Sequence, residues 1–280
     1  MVAELRTTRD LRSTVSAWKR DGLAVGFVPT MGALHSGHMS LVETALRESD
    51  RVVVSIYVNP AQFGPDEDLA AYPRVEADDL AMLAEAGVHA AYLPDELYAP
   101  DHATRVEVDG FAGNLEGEHR PGHFEGVALV LAKLFNRVQP DVAVFGEKDF
   151  QQLALVRRLV ADLDFPIRVV GQPIARDAHG LALSSRNRYF DADQLAVART
   201  LNAGLRACAA DVEGGMILED AIAKAERTIL AGGFAAVDYL VLRDADTLGE
   251  VTPETREARL LTVARLGPVR LLDNIAVNLP

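Results

Sequence analysis

Two histidines three residues apart, His35 and His38, are the residues whose type and spacing most directly suggest chemistry. They lie in the sequence PTMGALHSGH (29–38), where Gly32 and Gly37 let the backbone approach a ligand closely. Imidazole donors beside closely approaching backbone N–H groups can hold the oxygens of a phosphate. The alternatives are a polar cap at the start of a helix and a zinc site, although no third zinc ligand is suggested nearby in the sequence.

Other segments carry charged and hydroxyl side chains suited to a nucleotide. In the sequence GEKD (146–149), Lys148 offers a mobile cation for phosphate oxygens, and Asp149 offers an acceptor for ribose hydroxyls or a metal ion. In Ser184-Ser185-Arg186, two hydroxyls and a guanidinium can grip a polyphosphate. The alternatives are a solvated turn and an ordinary interdomain linker. The loop HRPGHF (119–124) is locally basic, and its histidines could equally be surface residues.

Neutral amides indicate a small polar ligand in addition to a phosphate. Gln62 follows a strand-like run, and Gln151 and Gln152 follow the GEKD segment. The apolar side chains of Met31 and Phe63 could form the walls of a compact pocket around such a ligand. Solvated glutamines are the alternative.

Composition restricts the class of protein. The net charge of −13 argues against a nucleic-acid partner, because binding a polyanion depends on clustered Lys and Arg, whereas ATP needs only a few local donors. A single cysteine, Cys208, excludes an intrachain disulfide and suits a reducing cytoplasm. No apolar run approaches the roughly 20 residues of a membrane helix. The N-terminal sequence lacks the pattern of a signal peptide, so we expect a cytoplasmic protein without a membrane partner.

An alternation of strands and helices must position these residues. Apolar runs predict strands at Leu23–Val28, Arg51–Val58, Val88–Leu93, Val142–Phe145 and Ile167–Val170. Helical spacing predicts helices at Met39–Glu48, Val75–Ala86, Gly126–Val138 and Phe150–Asp162. The alternation predicts a Rossmann-like, doubly wound parallel α/β sheet with ligands at the carboxyl ends of its strands. Neither a Walker A sequence nor Gly-x-Gly-x-x-Gly occurs, which disfavours P-loop and dinucleotide-binding folds.

The order of predicted helices and strands changes after Pro173. Two Ala-rich helical patterns, at Asp193–Ala210 and Leu218–Ala231, precede three strand-like runs at Val237–Leu242, Leu260–Arg265 and Val269–Val277. This order predicts a smaller C-terminal α+β domain with an antiparallel sheet. We therefore expect a domain boundary near residue 175, with a Rossmann-like domain at 1–174 and a smaller C-terminal domain at 175–280.

Taken together, these segments resemble the pantothenate synthetase (pantoate–β-alanine ligase) family, within the His-x-Gly-His nucleotidyltransferases. The matching sequences occur in the family order: PTMGALHSGH (29–38), SIYVNPAQF (55–63), YPR (72–74), RPGHF (120–124), FGEKDFQQL (145–153), GLALSSRNRY (180–189) and RLLDNIAV (270–277). They span nearly the whole chain. Ala61 stands where many members have methionine, and Leu183 where some have it. Both residues are apolar, so these differences affect the shape of the pocket more than its chemistry.

The resemblance implies a ligase that condenses pantoate with β-alanine through pantoyl adenylate, releasing AMP and pyrophosphate. ATP would be a substrate, Mg²⁺ would accompany it, and the family is typically homodimeric. Two alternatives stay open: a related nucleotidyltransferase whose product retains the nucleotide, and a non-catalytic ATP-binding regulator.

The resemblance also assigns roles to residues. His38, His35, Lys148 and Arg186 would be catalytic, with His38 as the proton donor. Gln62 and Gln152 would hold pantoate. The residues that would bind ATP are Met31, Gly32, Ala33, Leu34, His35, Ser36, Gly37, His38, Gly146, Glu147, Lys148, Asp149, Ala175, Leu183, Ser184, Ser185 and Arg186. No residue is assigned to a resident metal.

Overall fold

The computed structural model describes residues 2–65, 67 and 69–279. The helices are α1 (Thr8–Arg20), α2 (Ser36–Glu48), α3 (Glu76–Glu85), α4 (Glu116–His119), α5 (His123–Val138), α6 (Phe150–Asp162), α7 (Ala192–Glu213) and α8 (Leu218–Ala231). The strands are β1 (Ala3–Leu5), β2 (Val25–Thr30), β3 (Arg51–Ile56), β4 (Ala90–Tyr92), β5 (Val142–Gly146), β6 (Arg168–Gln172), β7 (Ala236–Asp244), β8 (Glu257–Leu266) and β9 (Val269–Asn278). Short 3-10 turns cover Pro60–Gln62, Glu147–Asp149 and Ser185–Tyr189.

The first six strands form one parallel sheet in the order β1-β4-β3-β2-β5-β6. Helices α1, α5 and α6 bury residues such as Leu11, Phe135 and Leu159 in one core, and α2 and α3 bury Val42 and Leu83 in another. Apolar strands covered by helices on both faces explain why the strand sequences are nearly continuous hydrophobic runs. The predicted doubly wound α/β fold is confirmed.

The direction of winding reverses at β2 and β5. From β2 the chain runs through β3 to β4 on one side, whereas β5 and β6 extend the sheet on the other. The two central strands pair directly, Gly26 opposite Val142 and Phe27 opposite Ala143. Ligands of open α/β sheets bind at such a switch point, outside the carboxyl ends of the strands. A ligand site is therefore expected at the segments that follow Thr30 and Phe145.

Two elements precede the first predicted strand. The three-residue strand β1 pairs with β4, Ala3 opposite Ala90, and forms an edge of the sheet. Helix α1 begins after Thr7, whose side chain accepts from the backbone N–H of Asp10. Only two residues of this helix are fully buried, so its apolar stripe is sparse in the sequence.

The chain divides into two compact units. The first contains the chain up to Glu147 together with Gln151–Pro173, and the second contains Lys148–Phe150 and the chain from Ile174 onward. The second unit has an antiparallel sheet in the order β7-β8-β9, with α7, α8 and a hydrophobic core of its own. Within the described residues, no helix is both long and apolar enough to cross a bilayer.

Candidate active site

The turn after β2 is held in a fixed shape by one buried carboxylate. Gly32 (φ +82°) and Ala33 (φ +52°) both have left-handed backbone, which costs free energy at the alanine. Asp79 of α3 is 1% exposed and accepts from the backbone N–H groups of Ala33 at 2.9 Å and Leu34 at 2.7 Å. A Cβ on Gly32 would lie 2.9 Å from Asp79 Oδ2, so a larger residue does not fit there. Asp79 therefore sets the path of the backbone into α2.

His35 and His38 lie at the N-terminus of α2, as the sequence predicts for a helix start. His35 is the N-cap, and its Nδ1 accepts from the backbone N–H of Gly37 at 3.1 Å. An accepting Nδ1 leaves the neutral ring with its hydrogen on Nε2, where it can be donated to a ligand. The His38 ring lies 4.1 Å from the His35 ring, centroid to centroid. The cap and ligand roles of His35 are thus compatible, because they use different ring nitrogens.

Replacing Asp79 with asparagine is expected to lower the free energy of unfolding by about 1.5–3 kcal/mol, because an amide N–H₂ would face a backbone N–H donor. The activity of the site should also fall, because the turn that carries His35 would lose its anchor. Urea unfolding and an activity assay measure the two effects. Asp78→Asn, on the same helix but exposed, is the matched control. Equal stability and rate in the two variants would contradict this role of Asp79.

A second buried residue, Asn59, organises the segment that carries Gln62. Asn59 is 1% exposed, and its Nδ2 donates to Gln62 Oε1 at 3.0 Å and to the carbonyl of Gly126 at 3.1 Å. Its Oδ1 accepts from the Tyr98 hydroxyl at 2.8 Å and the backbone N–H of Ala61 at 3.3 Å. Because Asn59 holds Gln62 Oε1, the Gln62 amide is presented in a defined orientation.

The loop around Arg120 is connected to the same segment. Arg120 donates to both carboxylate oxygens of Glu67, at 2.7 and 2.8 Å. Arg120 Nη1 also lies 3.0 Å from His123 Nε2, and His123 Nδ1 lies 2.9 Å from the carbonyl oxygen of Gln62. Since a guanidinium only donates, Nε2 accepts and the His123 ring carries its hydrogen on Nδ1, toward Gln62. His123 thus fixes the Gln62 backbone, a role that the sequence alone did not reveal.

Burial and the nearby Arg120 charge lower the pKa of His123 below its ordinary value of 6.5. The unfolded chain therefore takes up this proton first as the pH falls, so stability should be lost from about pH 6.5 downward. We expect His123→Asn, which can keep a donor toward Gln62, to weaken this loss. Urea midpoints between about pH 7.5 and 5.5 measure it.

The same substitution at His179, which is exposed, is the control for the pH series. His89 contributes in the same direction, because burial and Arg51 lower its pKa as well. A residual loss in His123→Asn is therefore expected. A pH dependence identical to that of the parent chain would contradict the assignment to His123.

The two glutamines after the GEKD segment differ in environment. Gln151 is 5% exposed; its Oε1 accepts from the backbone N–H of Glu116 at 3.0 Å, and its Nε2 donates to the carbonyl of Asn114 at 2.8 Å. Its amide thus holds the start of α4 in place. Gln152 is only partly buried, so it is the better of the two for contacting a ligand.

The GEKD segment follows directly from β5. Gly146 is the last residue of the strand, and Glu147–Asp149 forms a 3-10 turn. Lys148 Nζ lies 3.5 Å from Asp149 Oδ1, and the Lys148 side chain is 22% exposed. The Lys148 ammonium is therefore accessible enough to bind an anion.

The Ser184–Arg186 loop follows a short hairpin. The Leu183 N–H donates to the Ala175 carbonyl at 2.9 Å, which closes the hairpin. Ser184 is the N-cap of the 3-10 turn Ser185–Tyr189, and its Oγ accepts from the Arg186 N–H at 3.3 Å. The loop thus has a defined backbone path in the structure.

Each unit brings some of the predicted residues together. In the first unit, the His35 turn follows β2 and Gly146 ends the neighbouring strand β5, whereas Gln62 follows β3. Asp79 and Asn59 hold two of these segments in place, and spacing alone did not indicate either residue. Within the described part of the chain, no group of three or more His, Cys, Asp or Glu side chains is placed to hold a metal ion.

A doubly wound parallel sheet with a polar turn at its switch point defines a class, the open α/β proteins that bind a ligand at the carboxyl ends of their strands. Within that class, the chain belongs to the pantoate–β-alanine ligase family, whose model matches residues 3–276. It is accordingly a ligase.

Named relatives cover almost the whole chain. Pantothenate synthetase of Rhodospirillum rubrum is 54% identical over 276 residues, covering 97% of this chain and 98% of the relative. The crystal structure of pantothenate synthetase from Thermus thermophilus matches with a TM-score of 0.92 and 43% identity over 98% of this chain and 99% of its own. Pantoate–β-alanine ligase from Francisella tularensis, crystallised with β,γ-ATP and β-alanine, matches with a TM-score of 0.82 and 30% identity over 98% of this chain and 97% of its own.

Proposed function

We propose that this chain condenses pantoate with β-alanine at the expense of ATP, through pantoyl adenylate, and releases AMP and pyrophosphate. The observation that carries the proposal is the turn between β2 and α2, where an N-cap histidine with its hydrogen on Nε2 and a second histidine share a helix N-terminus. Family membership supplies the substrates, and the Francisella relative holds both β,γ-ATP and β-alanine.

The first half-reaction activates a carboxylate. A pantoate carboxylate oxygen attacks the α-phosphorus of ATP, a P–O bond forms, and the bond from that phosphorus to the bridging oxygen breaks. Pyrophosphate leaves with the electron pair. We assign His35 to the phosphates and His38 to the donation of a hydrogen bond or proton to the phosphate oxygens as charge builds up there. Donors fixed before the reaction stabilise such charge without reorganising.

The second half-reaction forms the amide. The β-alanine nitrogen attacks the acyl carbon, a C–N bond forms, and the C–O bond to AMP breaks, while the amine gives up its proton. AMP leaves with an oxygen that came from pantoate. We assign Gln62 and Gln152 to pantoate, with Gln62 also bordering the β-alanine site. Holding both reactants in position supplies much of the rate enhancement.

The proposal includes further contacts to ATP. The backbone of Met31–Leu34 with Ser36 and Gly37, the backbone of Gly146 and Glu147, and that of Ala175 would contact the nucleotide. Lys148 would contact its phosphates and Asp149 its ribose. Leu183–Arg186 would grip the phosphates, with Arg186 countering charge in the first half-reaction.

The proposal also covers the metal ion, the roles of the two domains, the oligomeric state and the location of the protein. Mg²⁺ would enter with ATP, because it prefers oxygen ligands and the triphosphate supplies them. Residues 1–174 would act as the nucleotide- and pantoate-binding domain and 175–280 as a lid that closes on the nucleotide. We further propose a homodimer located in the cytoplasm, where ATP is available and a reduced thiol such as buried Cys208 persists.

A single-turnover experiment with excess protein separates this function from its alternatives. With ATP, Mg²⁺ and pantoate, pyrophosphate should form while AMP stays joined to pantoate; adding β-alanine should release AMP and pantothenate. A stable product that retains the nucleotide would favour a nucleotidyltransferase. ATP binding without pyrophosphate release would favour a regulator.

A further inference from the structure

We propose that Asp273 and Asn274 of β9 are positioning residues for two cationic segments, the turn that carries Lys148 and the loop that carries Arg186. The proposal rests on the ATP-binding roles proposed for those two side chains. The sequence RLLDNIAV (270–277) contains this pair, and the reaction described so far gives it no task. Successive side chains of a strand point to opposite faces, so the pair can reach two different segments.

Asp273 forms a buried ion pair with Arg176. Asp273 is 4% exposed, and its two carboxylate oxygens accept from Arg176 Nη1 and Nη2, each at 2.8 Å. Asn202 Nδ2 donates to the same carboxylate at 3.3 Å, and the Asn274 backbone N–H donates at 2.7 Å. A paired carboxylate with further donors is a rigid attachment point, because removing either charge would leave the other buried and uncompensated.

Through Arg176 this attachment extends to the hairpin before the loop. Besides Asp273, the Arg176 guanidinium donates to the Gly180 carbonyl at 2.9 Å and the Asn274 carbonyl at 3.1 Å. Gly180 lies at the tip of the hairpin, with φ +91°. Arg176 therefore ties the base of the hairpin to β9 and also bonds the tip of the hairpin.

The hairpin leads directly into Ser184–Arg186, the loop proposed to bind the phosphates. The Ala182 carbonyl accepts from Asn187 Nδ2 at 3.0 Å, and the Ser184 carbonyl accepts from the Asn187 N–H at 3.1 Å. These bonds, with the Ser184 cap on the Arg186 N–H, continue the attachment without a gap from Asp273 to Arg186.

Asn274 attaches the other cationic segment. Its Nδ2 donates to the Lys148 carbonyl at 2.9 Å, and Asn274 is 2% exposed. Nearby, the Arg259 guanidinium of β8 lies 4.2 Å from the ring centre of Phe150. Lys148–Phe150 is thus fixed to the C-terminal sheet on either side of Asp149, and the Lys148 ammonium starts from a defined backbone position.

The test compares two equivalent carboxylate-to-amide substitutions, Asp273→Asn and Asp238→Asn. Asp238 of β7 likewise has a buried side chain, but it binds two arginines, Arg265 at 2.6 Å and Arg270 at 2.7 Å, and these lie on β8 and β9 instead of on the hairpin. For Asp273→Asn, kcat for pantoate-dependent pyrophosphate release should fall about tenfold or more relative to the control, because small misplacements of a binding group are costly. KM for pantoate should stay within about twofold, since pantoate is bound by other residues.

Hydrogen exchange over residues 176–189 supplies a readout independent of activity. Exchange should accelerate in Asp273→Asn and not in Asp238→Asn. Arg176→Lys should show a smaller acceleration of exchange and a smaller fall in kcat, and it replaces Asp273→Asn as the test variant if that protein does not fold.

For the second attachment, Asn274→Leu should lower kcat in the same way. Exchange or kcat equal to those of the control would overturn the proposal. If the parent chain released no pyrophosphate, the proposed function would fail, while exchange would still decide whether Asp273 holds the loop.

Discussion

Replacing His38 with alanine is expected to slow pantoate-dependent pyrophosphate release by about a hundredfold, because one pre-positioned donor at the reacting phosphate is lost. The side chain lies at the N-terminus of α2, beside His35, on a turn that Asp79 holds in place. Lys148→Ala should have an effect of at least about tenfold for the same reason, through the loss of a cation at the phosphates. Rapid-quench measurement of pyrophosphate with radiolabelled ATP reports this step directly.

The controls separate chemistry from folding. His38→Gln retains an amide donor and should recover part of the lost rate. Lys224→Ala removes a lysine that, like Lys148, lies beside a carboxylate, here Asp211 at 2.8 Å, and should leave the rate unchanged. Near-parental adenylate formation in His38→Ala would remove the role assigned to that residue.

Gly126→Ala is expected to lower turnover by about a hundredfold, because the added methyl group must displace the segment that carries Gln62. A Cβ at Gly126 would lie 2.1 Å from the Ala61 carbonyl oxygen and 2.6 Å from the Gln62 backbone nitrogen. Both are backbone atoms, so no side-chain rotation relieves the overlap. The KM for pantoate should rise together with the fall in kcat, since Gln62 is the proposed pantoate contact.

Gly113→Ala is the matched control, because a Cβ there meets no atom within 4 Å. Thermal unfolding of both variants shows how much of the loss is stability, for which overpacking costs typically about 1–3 kcal/mol. Parental KM and kcat in a folded Gly126→Ala variant would contradict the placement of Gln62 in the pantoate site.

Much of the fold could be predicted from the sequence, because its signals are local. The central strand β2 is a continuous apolar run, and α2 shows apolar residues at helical spacing directly after the histidines. Both features predict from the sequence that His35 lies at a strand-to-helix junction. The strand β1 and helix α1 could not be predicted in this way, because three residues carry little pattern and the buried stripe of α1 is sparse.

The residues that hold the candidate site in shape were not predictable, because their partners are distant in the chain. Asp79 binds the backbone of residues 33 and 34, and Asp273 binds Arg176, 97 positions away. Asp79 lies on a helix whose first turn is rich in acidic residues, so nothing in the local sequence distinguishes it from exposed Asp78. Only the fold shows which carboxylate is buried. The individual roles of His38, Lys148 and Arg186 stay predictions until variants are measured.

The most direct test of acyl-adenylate chemistry follows an oxygen atom. Pantoate labelled with ¹⁸O in its carboxylate should be incubated with ATP, Mg²⁺, β-alanine and the protein, and the products analysed by mass spectrometry. Attack on the α-phosphorus followed by cleavage of the acyl C–O bond places one labelled oxygen in AMP for each pantothenate formed. Label in inorganic phosphate with ADP as the other product, or pantothenate formation with unlabelled AMP, would contradict the mechanism.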